Sequence, residues 1–79
     1  MARDRFREDY AKLLKVLVQQ RKSVPGLTQE EVAARLATKQ TVVSKWETGE
    51  VRLNVVDFAR YCRVVGLDPG EMLAGVGHY

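Results

Sequence analysis

The chain has 79 residues, of which 46% are apolar and 29% charged, with a net charge of +3. This length allows one domain with a small core, and this composition excludes the disordered class of chain. No apolar run approaches the length of a membrane span, residues 1–5 lack the apolar core of a signal peptide, and a single cysteine excludes an internal disulfide. We therefore expect a cytoplasmic protein whose residues 1–79 form a single domain.

The first predicted element is a long helix over residues 4–22. Its apolar residues recur at helical spacing over about five turns: Phe6, Tyr10, Leu13, Leu14, Leu17 and Val18. Pro25 and Gly26 end the pattern, because proline cannot continue a helix and glycine permits a reversal. The basic excess of the chain lies before residue 28: Arg3, Arg5, Arg7, Lys12, Lys15, Arg21 and Lys22. These cations could contact phosphate, but the intervening acidic residues favour a solvated helix face.

A second helix is predicted to begin at Gln29. Thr28 and Glu31 form a Ser/Thr-x-x-Glu capping box, in which each side chain accepts a hydrogen bond from a backbone N–H group at the helix start. We expect both side chains to satisfy free N–H groups of the first turn. Three apolar residues of this helix are expected to face the core: Val32, Ala33 and Leu36.

The third helix follows almost at once and is predicted to be capped by Thr38. Val43 and Trp46 are three residues apart, so they share one face, on which we expect them to be buried. Trp46 could stack on a base, but its phase with Val43 favours core packing. Another face carries side chains that can donate and accept hydrogen bonds: Gln40, Thr41, Ser44 and Lys45.

Two further helices are predicted after a glycine stop at Gly49 and a short loop over residues 50–53. Asn54 is a good N-cap for the fourth helix, and Gly66 ends it. The apolar stripe of the fourth helix consists of Val55, Phe58, Ala59, Cys62 and Val65. The fifth helix has three start signals, Asp68, Pro69 and Glu71, and residues 75–79 are expected to be a frayed tail. Without strand alternation or repeats, the pattern predicts an all-α bundle of five helices.

The chain carries no arrangement typical of an enzyme or a metal site. Cys62 falls on the apolar side of the fourth helix, which favours a small buried thiol over redox or metal chemistry. His78 has no nucleophile or carboxylate fixed beside it, and neither metal-ligand spacing nor a glycine-rich nucleotide loop is present. We expect no enzymatic activity, no metal, no cofactor and no small-molecule substrate.

Three segments resemble the Xre, or phage Cro/repressor, family of DNA-binding regulators. They are Gly-Leu-Thr-Gln-Glu-Glu at 26–31, Ser-Lys-Trp-Glu-Thr-Gly at 44–49 and Arg-Leu-Asn-Val-Val-Asp-Phe at 52–58, in the expected order. The resemblance implies a compact lambda-repressor-like DNA-binding domain whose helix-turn-helix motif spans about residues 28–49. The family usually has glycine at the turn and an apolar residue next, where this chain has Ala37 and Thr38. We expect this departure to be mild, since alanine tolerates many turn geometries.

The resemblance also implies that the third helix enters the major groove of double-stranded DNA. Base contacts are implied at four of its residues, Gln40, Thr41, Ser44 and Lys45, and Val42 could add a methyl contact. A glutamine amide can bond adenine N6 and N7 together, lysine can donate to guanine O6 and N7, and threonine offers a hydroxyl and a methyl group. These residues could be ordinary surface residues, but surface helices more often carry Glu and Lys pairs.

A phosphate contact is implied by the resemblance at Gln29, beside the N–H groups of the second helix's first turn. Lys39 and Arg52 flank the same side from the two loops, although each of the three could simply be solvated. The charges of residues 28–52 sum to zero, so phosphate attraction must come from placement. The family pattern pairs Glu47 with a basic residue near the end of the first helix, for which Arg21 is a better candidate than Lys22.

A homodimer is a further implication, since one recognition helix reads only about four to six base pairs. The apolar candidates for its interface lie in the region of about residues 67–79: Leu67, Met72, Leu73 and Val76. Leu67 and Leu73 could instead be needed in the monomer core. The predicted function is a sequence-specific DNA-binding transcription regulator, with a repressor on a palindromic operator as the favoured form. The alternative is an antitoxin or protein-interaction module that uses the same fold to bind a protein such as a toxin.

Overall fold

The computed structural model describes the backbone of residues 2–76 and the side chains of residues 7–76. Within this part the chain forms five helices: α1 (Ala2–Ser23), α2 (Gln29–Arg35), α3 (Gln40–Thr48), α4 (Val55–Val65) and α5 (Pro69–Ala74). No strand occurs between residues 2 and 76, so the predicted all-α, five-helix fold is confirmed. Predictions for the side chains of Arg3, Arg5 and Phe6, for His78 and for the end of the tail lie outside the described residues.

The core lies where α1, α2, α3 and α4 meet. α2 and α3 contact each other most extensively, and α1 packs against both α3 and α4. The buried apolar residues are Leu17, Leu27, Val32, Ala33, Leu36, Val43, Trp46, Phe58, Tyr61, Cys62 and Val65. The inward positions predicted for α2 and α3 are therefore confirmed. None of the helices in the described part combines the length and the apolar character that crossing a membrane requires.

The start of α2 forms only half of the predicted capping box. The Thr28 hydroxyl oxygen accepts a hydrogen bond from the Glu31 N–H group at 3.1 Å, as predicted. The Thr28 N–H group instead donates to the Gly26 carbonyl oxygen at 3.1 Å. The Glu31 carboxylate accepts from Arg35 Nε, one turn further along, at 3.0 Å. The Thr28 N–H group is therefore bonded by the Gly26 carbonyl oxygen of the preceding turn, rather than by the Glu31 carboxylate as predicted.

The predicted cap of α3 is wrong by one residue. Lys39 is the N-cap rather than Thr38, and its side chain makes no capping hydrogen bond because an ammonium group cannot accept one. Thr38 belongs to the preceding turn, since its N–H group donates to the Ala33 carbonyl oxygen at 2.9 Å and closes the end of α2. The first turn of α3 therefore has N–H groups without a side-chain cap.

The caps predicted for the last two helices are confirmed. Asn54 Oδ1 accepts from the Asp57 N–H group at 2.8 Å at the start of α4. Asp68 Oδ2 accepts from the Glu71 N–H group at 3.1 Å at the start of α5. Each cap joins residues three positions apart in the sequence, so it forms without a tertiary contact.

The turn between α2 and α3 holds Ala37 in the left-handed region, with φ at 55°. Among the described residues, no other residue except glycine has a positive φ. The Cβ atom makes this conformation costlier for alanine than for glycine by about 1–2 kcal/mol. The turn forms with alanine, but the departure from glycine leaves the backbone strained.

Replacing Ala37 by glycine is expected to raise the free energy of unfolding by about 0.5–1 kcal/mol. This is the relief of the left-handed strain less the extra freedom that glycine gives the unfolded chain. Ala34→Gly is the matched control, because Ala34 is exposed within α2 and the same change there is expected to lower stability by about 0.5–1 kcal/mol. Urea unfolding compares the two variants, and equal destabilisation of both would show that Ala37 is unstrained.

The apolar stripe of α4 differs from the prediction at three positions. The buried residues of this helix are Phe58, Tyr61, Cys62 and Val65. Val55 is 73% exposed, because it opens the first turn of α4, beyond the part of the helix that the core covers. Tyr61 is 1% exposed although its phenol is polar. The prediction for Val55 is wrong, and Ala59 is half-buried rather than buried. Tyr61 takes a core position that was not predicted, although its spacing of three from Phe58 and four from Val65 is typical of one helix face.

Candidate nucleic-acid interface

The outward face of α3 consists of polar side chains. Val43 and Trp46 are 0% and 5% exposed and fix this helix on the core. Four of the five predicted base-contacting residues lie on the other side: Gln40, Thr41 and Lys45 are exposed and Ser44 is half-buried. Exposed hydrogen-bonding groups on one side of a short helix are what a major-groove contact requires.

Two further residues of α3 border this face. Val42, a predicted methyl contact, is half-buried and packs against the core, so only part of its side chain faces outward. Thr48 is exposed and lies one turn beyond Ser44. Thr48 was not predicted as a contact, although its i+4 spacing from Ser44 places it on the same helix face. Its hydroxyl donates to the Lys45 carbonyl oxygen at 3.3 Å and retains its acceptor capacity.

Gln29 and Gln40 are hydrogen-bonded to each other. Gln40 Nε2 donates to Gln29 Oε1 at 2.7 Å, so the first residue of α2 lies beside the first residue of α3. The structure thus brings together the residue predicted to contact phosphate and the residue predicted to contact a base.

The Glu47 carboxylate lies behind Gln29 and accepts four hydrogen bonds. Arg21 donates twice, from Nε to Oε2 at 2.7 Å and from Nη2 to Oε1 at 2.9 Å. Gln29 Nε2 donates to Oε1 at 2.9 Å, and the Tyr61 hydroxyl donates to Oε2 at 2.7 Å. The predicted pairing of Glu47 with Arg21 is confirmed, and Lys22, the other candidate, is exposed.

The charges of this network stay in place at neutral pH. Burial alone would raise the pKa of Glu47, but the hydrogen bonds from Arg21, Tyr61 and Gln29 outweigh burial and hold that pKa below its ordinary value. The hydrogen bond to Glu47 raises the pKa of Arg21. Burial, followed by the hydrogen bond to Glu47, raises the pKa of Tyr61, which therefore keeps its proton and donates it to the carboxylate.

This network sets which way the Gln40 amide points. A carboxylate can only accept, so Gln29 turns its Nε2 toward Glu47 and its Oε1 toward Gln40. Gln40 must then turn Nε2 toward Gln29, and its Oε1 accepts no hydrogen bond from the described residues. One N–H of Gln40 remains available beside that oxygen, which makes the donor and acceptor pair that adenine N7 and N6 require.

The net charge that residues 28–52 present at the surface differs from the sum of the charges in their sequence. Residues 28–52 sum to zero, but the Glu47 side chain is only 5% exposed and is neutralised by Arg21 from α1. The charged groups of this stretch that remain at the surface are therefore positive overall. This placement favours phosphate more than the sequence sum indicated.

The two loop residues predicted to contact phosphate are both exposed, and only Arg52 has a defined contact with another element. Its guanidinium carbon lies 4.8 Å from the centre of the Tyr10 ring. The Tyr10 hydroxyl also accepts from the Leu53 N–H group at 3.1 Å. Tyr10 was predicted only as part of an apolar stripe, and its contact with the loop between α3 and α4 was not predicted.

The predicted dimer residues divide into two groups. Leu67 and Met72 pack against the core, and Val76 is half-buried. Leu73 is 42% exposed and lines an apolar groove together with Val55. The alternative role in the monomer core therefore fits Leu67 and not Leu73.

Groups capable of covalent or metal chemistry are few in the described part of the chain. Between residues 7 and 76, no three His, Cys, Asp or Glu side chains are arranged to hold a metal ion. Cys62 is completely buried, as predicted, and burial raises the pKa of its thiol to about 11. The reactive thiolate is therefore scarce at neutral pH.

Comparisons with known proteins agree with this arrangement. Residues 9–74 match a family described as a helix-turn-helix domain, a span that includes all five residues predicted to contact bases and the phosphate candidates Gln29, Lys39 and Arg52. The fold is similar to a solved structure of an XRE-family like protein from Pseudomonas syringae pv. tomato str. DC3000. The sequences are 39% identical, the TM-score is 0.86, and the likeness covers 94% of this chain and 89% of the other. None of the curated proteins compared with the chain matches it.

Proposed function

This chain belongs to the helix-turn-helix family of Xre-type DNA-binding regulators, and from that premise we propose that it is a repressor that binds a palindromic operator as a homodimer. The observation that carries the proposal is the exposed polar face of α3, held outward by the burial of Val43 and Trp46. A helix anchored in this way can lie in the major groove without losing its packing.

In this proposal the bases are read from α3. Gln40 bonds one adenine through its Oε1 and its remaining N–H. Lys45 donates to guanine, and Thr41 and Ser44 offer hydroxyl groups to neighbouring base edges. The exposed part of Val42 contacts a thymine methyl group.

Phosphate contacts in this proposal fix the position of α3 without reading sequence. Gln29 uses the N–H of its amide that does not bond Glu47. Lys39 stands at the start of α3, whose first-turn N–H groups have no side-chain cap. Arg52 contacts a phosphate of the DNA backbone from the loop that follows α3.

Replacing Lys39 by alanine is expected to weaken binding to all DNA sequences by a similar factor. One lost phosphate contact reduces the slope of log affinity against log salt concentration by about one. Fluorescence anisotropy with operator and scrambled duplexes at several salt concentrations measures both effects. Lys12→Ala is the control of equal charge, because Lys12 is exposed on α1, outside the helix-turn-helix motif, and lines a groove with residues of α5 and none of α3. A loss confined to one sequence would show instead that Lys39 reads a base.

The homodimer is proposed to form through exposed apolar residues near the start of α4 and on α5. Val55, Val56 and Leu73 are 73%, 62% and 42% exposed. Leu67 and Met72 are engaged in the monomer core, so they contribute less than the sequence analysis expected. In this proposal a two-fold axis through this surface relates two α3 helices, which bind two half-sites about one turn of DNA apart.

Selection of bound sites from random duplex DNA by the purified protein tests the proposal. The enriched sequences are expected to be two-fold symmetric, with half-sites about 10 base pairs apart, and the protein's affinity for them is expected to fall as the salt concentration rises. Enrichment of a single, asymmetric half-site would contradict the proposed dimer. No enrichment would contradict sequence-specific binding and favour the alternative in which the fold binds a protein such as a toxin. Placing the selected site over a promoter then distinguishes repression from activation.

A further inference from the structure

Tyr10 of α1 holds two consecutive residues of the loop between α3 and α4. Its ring lies against the Arg52 guanidinium, whose carbon is 4.8 Å from the ring centre. Its hydroxyl accepts from the Leu53 N–H group at 3.1 Å. One side chain therefore orients the side chain of Arg52 and fixes the backbone just after it. Tyr10 itself is half-buried on a long helix, which makes it a firm support.

The contact with Tyr10 restricts the orientation of the Arg52 side chain without using its N–H donors. A cation over an exposed aromatic face is favoured by about two- to fivefold in population. The guanidinium is planar, so stacking occupies its face while its N–H groups, which lie in the plane, remain able to bond a phosphate. An exposed arginine otherwise loses much side-chain freedom when it binds. Stacking on Tyr10 removes part of that loss before DNA arrives.

We propose that Tyr10 is a positioning residue for DNA binding, which holds Arg52 in the orientation that contacts a backbone phosphate. This inference rests on the proposed function, in which Arg52 is a phosphate contact. It adds a residue of α1, outside the helix-turn-helix motif, whose effect is on affinity and salt dependence. It leaves base preference unchanged, because phosphate contacts carry no sequence information.

Four variants test the inference on the selected operator over a range of salt concentrations. Arg52→Ala is expected to reduce the salt slope by about one. Tyr10→Leu is expected to weaken binding by about two- to fivefold and to reduce the slope by part of that amount. Tyr10→Phe keeps the ring and is expected to keep the slope. The double variant Arg52→Ala with Tyr10→Leu is expected to bind like Arg52→Ala alone.

The possible failures can be told apart. Unchanged or tighter binding by Tyr10→Leu, beside a reduced slope in Arg52→Ala, would overturn the inference and leave the proposed function standing. An unchanged slope in Arg52→Ala would remove the phosphate contact and the inference with it. Equal losses in Tyr10→Phe and Tyr10→Leu would assign the effect to the Leu53 bond and overturn the role of the ring. Circular dichroism and light scattering on each variant establish that fold and oligomeric state are retained.

Discussion

Replacing Glu47 by alanine is expected to lower the free energy of unfolding by about 3–5 kcal/mol, which is the usual cost of leaving a buried charge without its partner. The Arg21 guanidinium, whose side chain is 10% exposed, would lose both hydrogen bonds to the carboxylate, and the Tyr61 hydroxyl would lose its acceptor. A domain of this size has a total stability on the order of 4–12 kcal/mol, so the variant would be close to unfolding. Urea unfolding at neutral pH measures the loss.

Glu31→Ala is the matched control for this variant. Glu31 also forms an ion pair with an arginine, but its side chain is 45% exposed and that of Arg35 is 55% exposed. Exposed pairs one helical turn apart contribute about 0.3–0.5 kcal/mol, so we expect a loss roughly ten times smaller. Similar losses in the two variants would show that the Glu47 network does not stabilise the core.

The same network predicts how stability depends on pH. The pKa of Glu47 is lower in the folded protein than its ordinary value, so the folded state favours the charged carboxylate. Its contribution is complete above the ordinary pKa and is lost as the pH falls through the folded pKa. The native protein is therefore expected to lose stability toward acid more steeply than Glu47→Ala, and unfolding curves across the acidic range measure this difference.

Replacing Gln40 by alanine is expected to weaken binding to the selected operator by about 1–3 kcal/mol and to relax the preference at one base pair. The loss is local because the Gln40 amide, oriented by Gln29, is expected to read a single adenine. Repeating the selection with the variant measures the preference at every position.

Gln19→Ala is the control of identical chemistry. Gln19 is exposed on α1, outside the helix-turn-helix motif, and lines a surface groove with Lys15, Lys22 and Glu47 without being one of the donors to Glu47. Its replacement is expected to leave both affinity and preference unchanged. An unchanged preference in Gln40→Ala would remove Gln40 from the residues that read DNA.

The parts of the fold that the sequence predicted correctly depend on local signals. The caps Asn54 and Asp68 bond groups within their own first turns. The cap of α3 was predicted wrongly because its position depends on how α2 ends, where Thr38 is drawn into a bond with Ala33. Val55 was placed in the core because periodicity gives the direction of a side chain but not how far the neighbouring helices extend.

The exposed face of α3 could be predicted from spacing, whereas the network behind it could not be derived from spacing. The partner of Glu47 was available only through family resemblance, and the Tyr61 bond was missed, because these contacts join residues far apart in the chain. Arg60 is a further example, since its Nη2 donates to the Leu36 carbonyl oxygen at 2.6 Å from a different helix. Long polar side chains carry no sequence pattern that identifies a distant acceptor.

The hydrogen-bonded path from Tyr61 through Glu47 and Gln29 to Gln40 has a consequence for how binding specificity evolves. A change at Gln40 that alters the preferred base also disturbs a partner of a buried carboxylate. Thr41 and Lys45 are exposed, and no such path ties their side chains to the buried carboxylate within the described residues. In the proposed mode of binding, new operator preferences are therefore expected to arise first at the base pairs assigned to Thr41 and Lys45, while the base pair assigned to Gln40 changes last among descendants of this regulator.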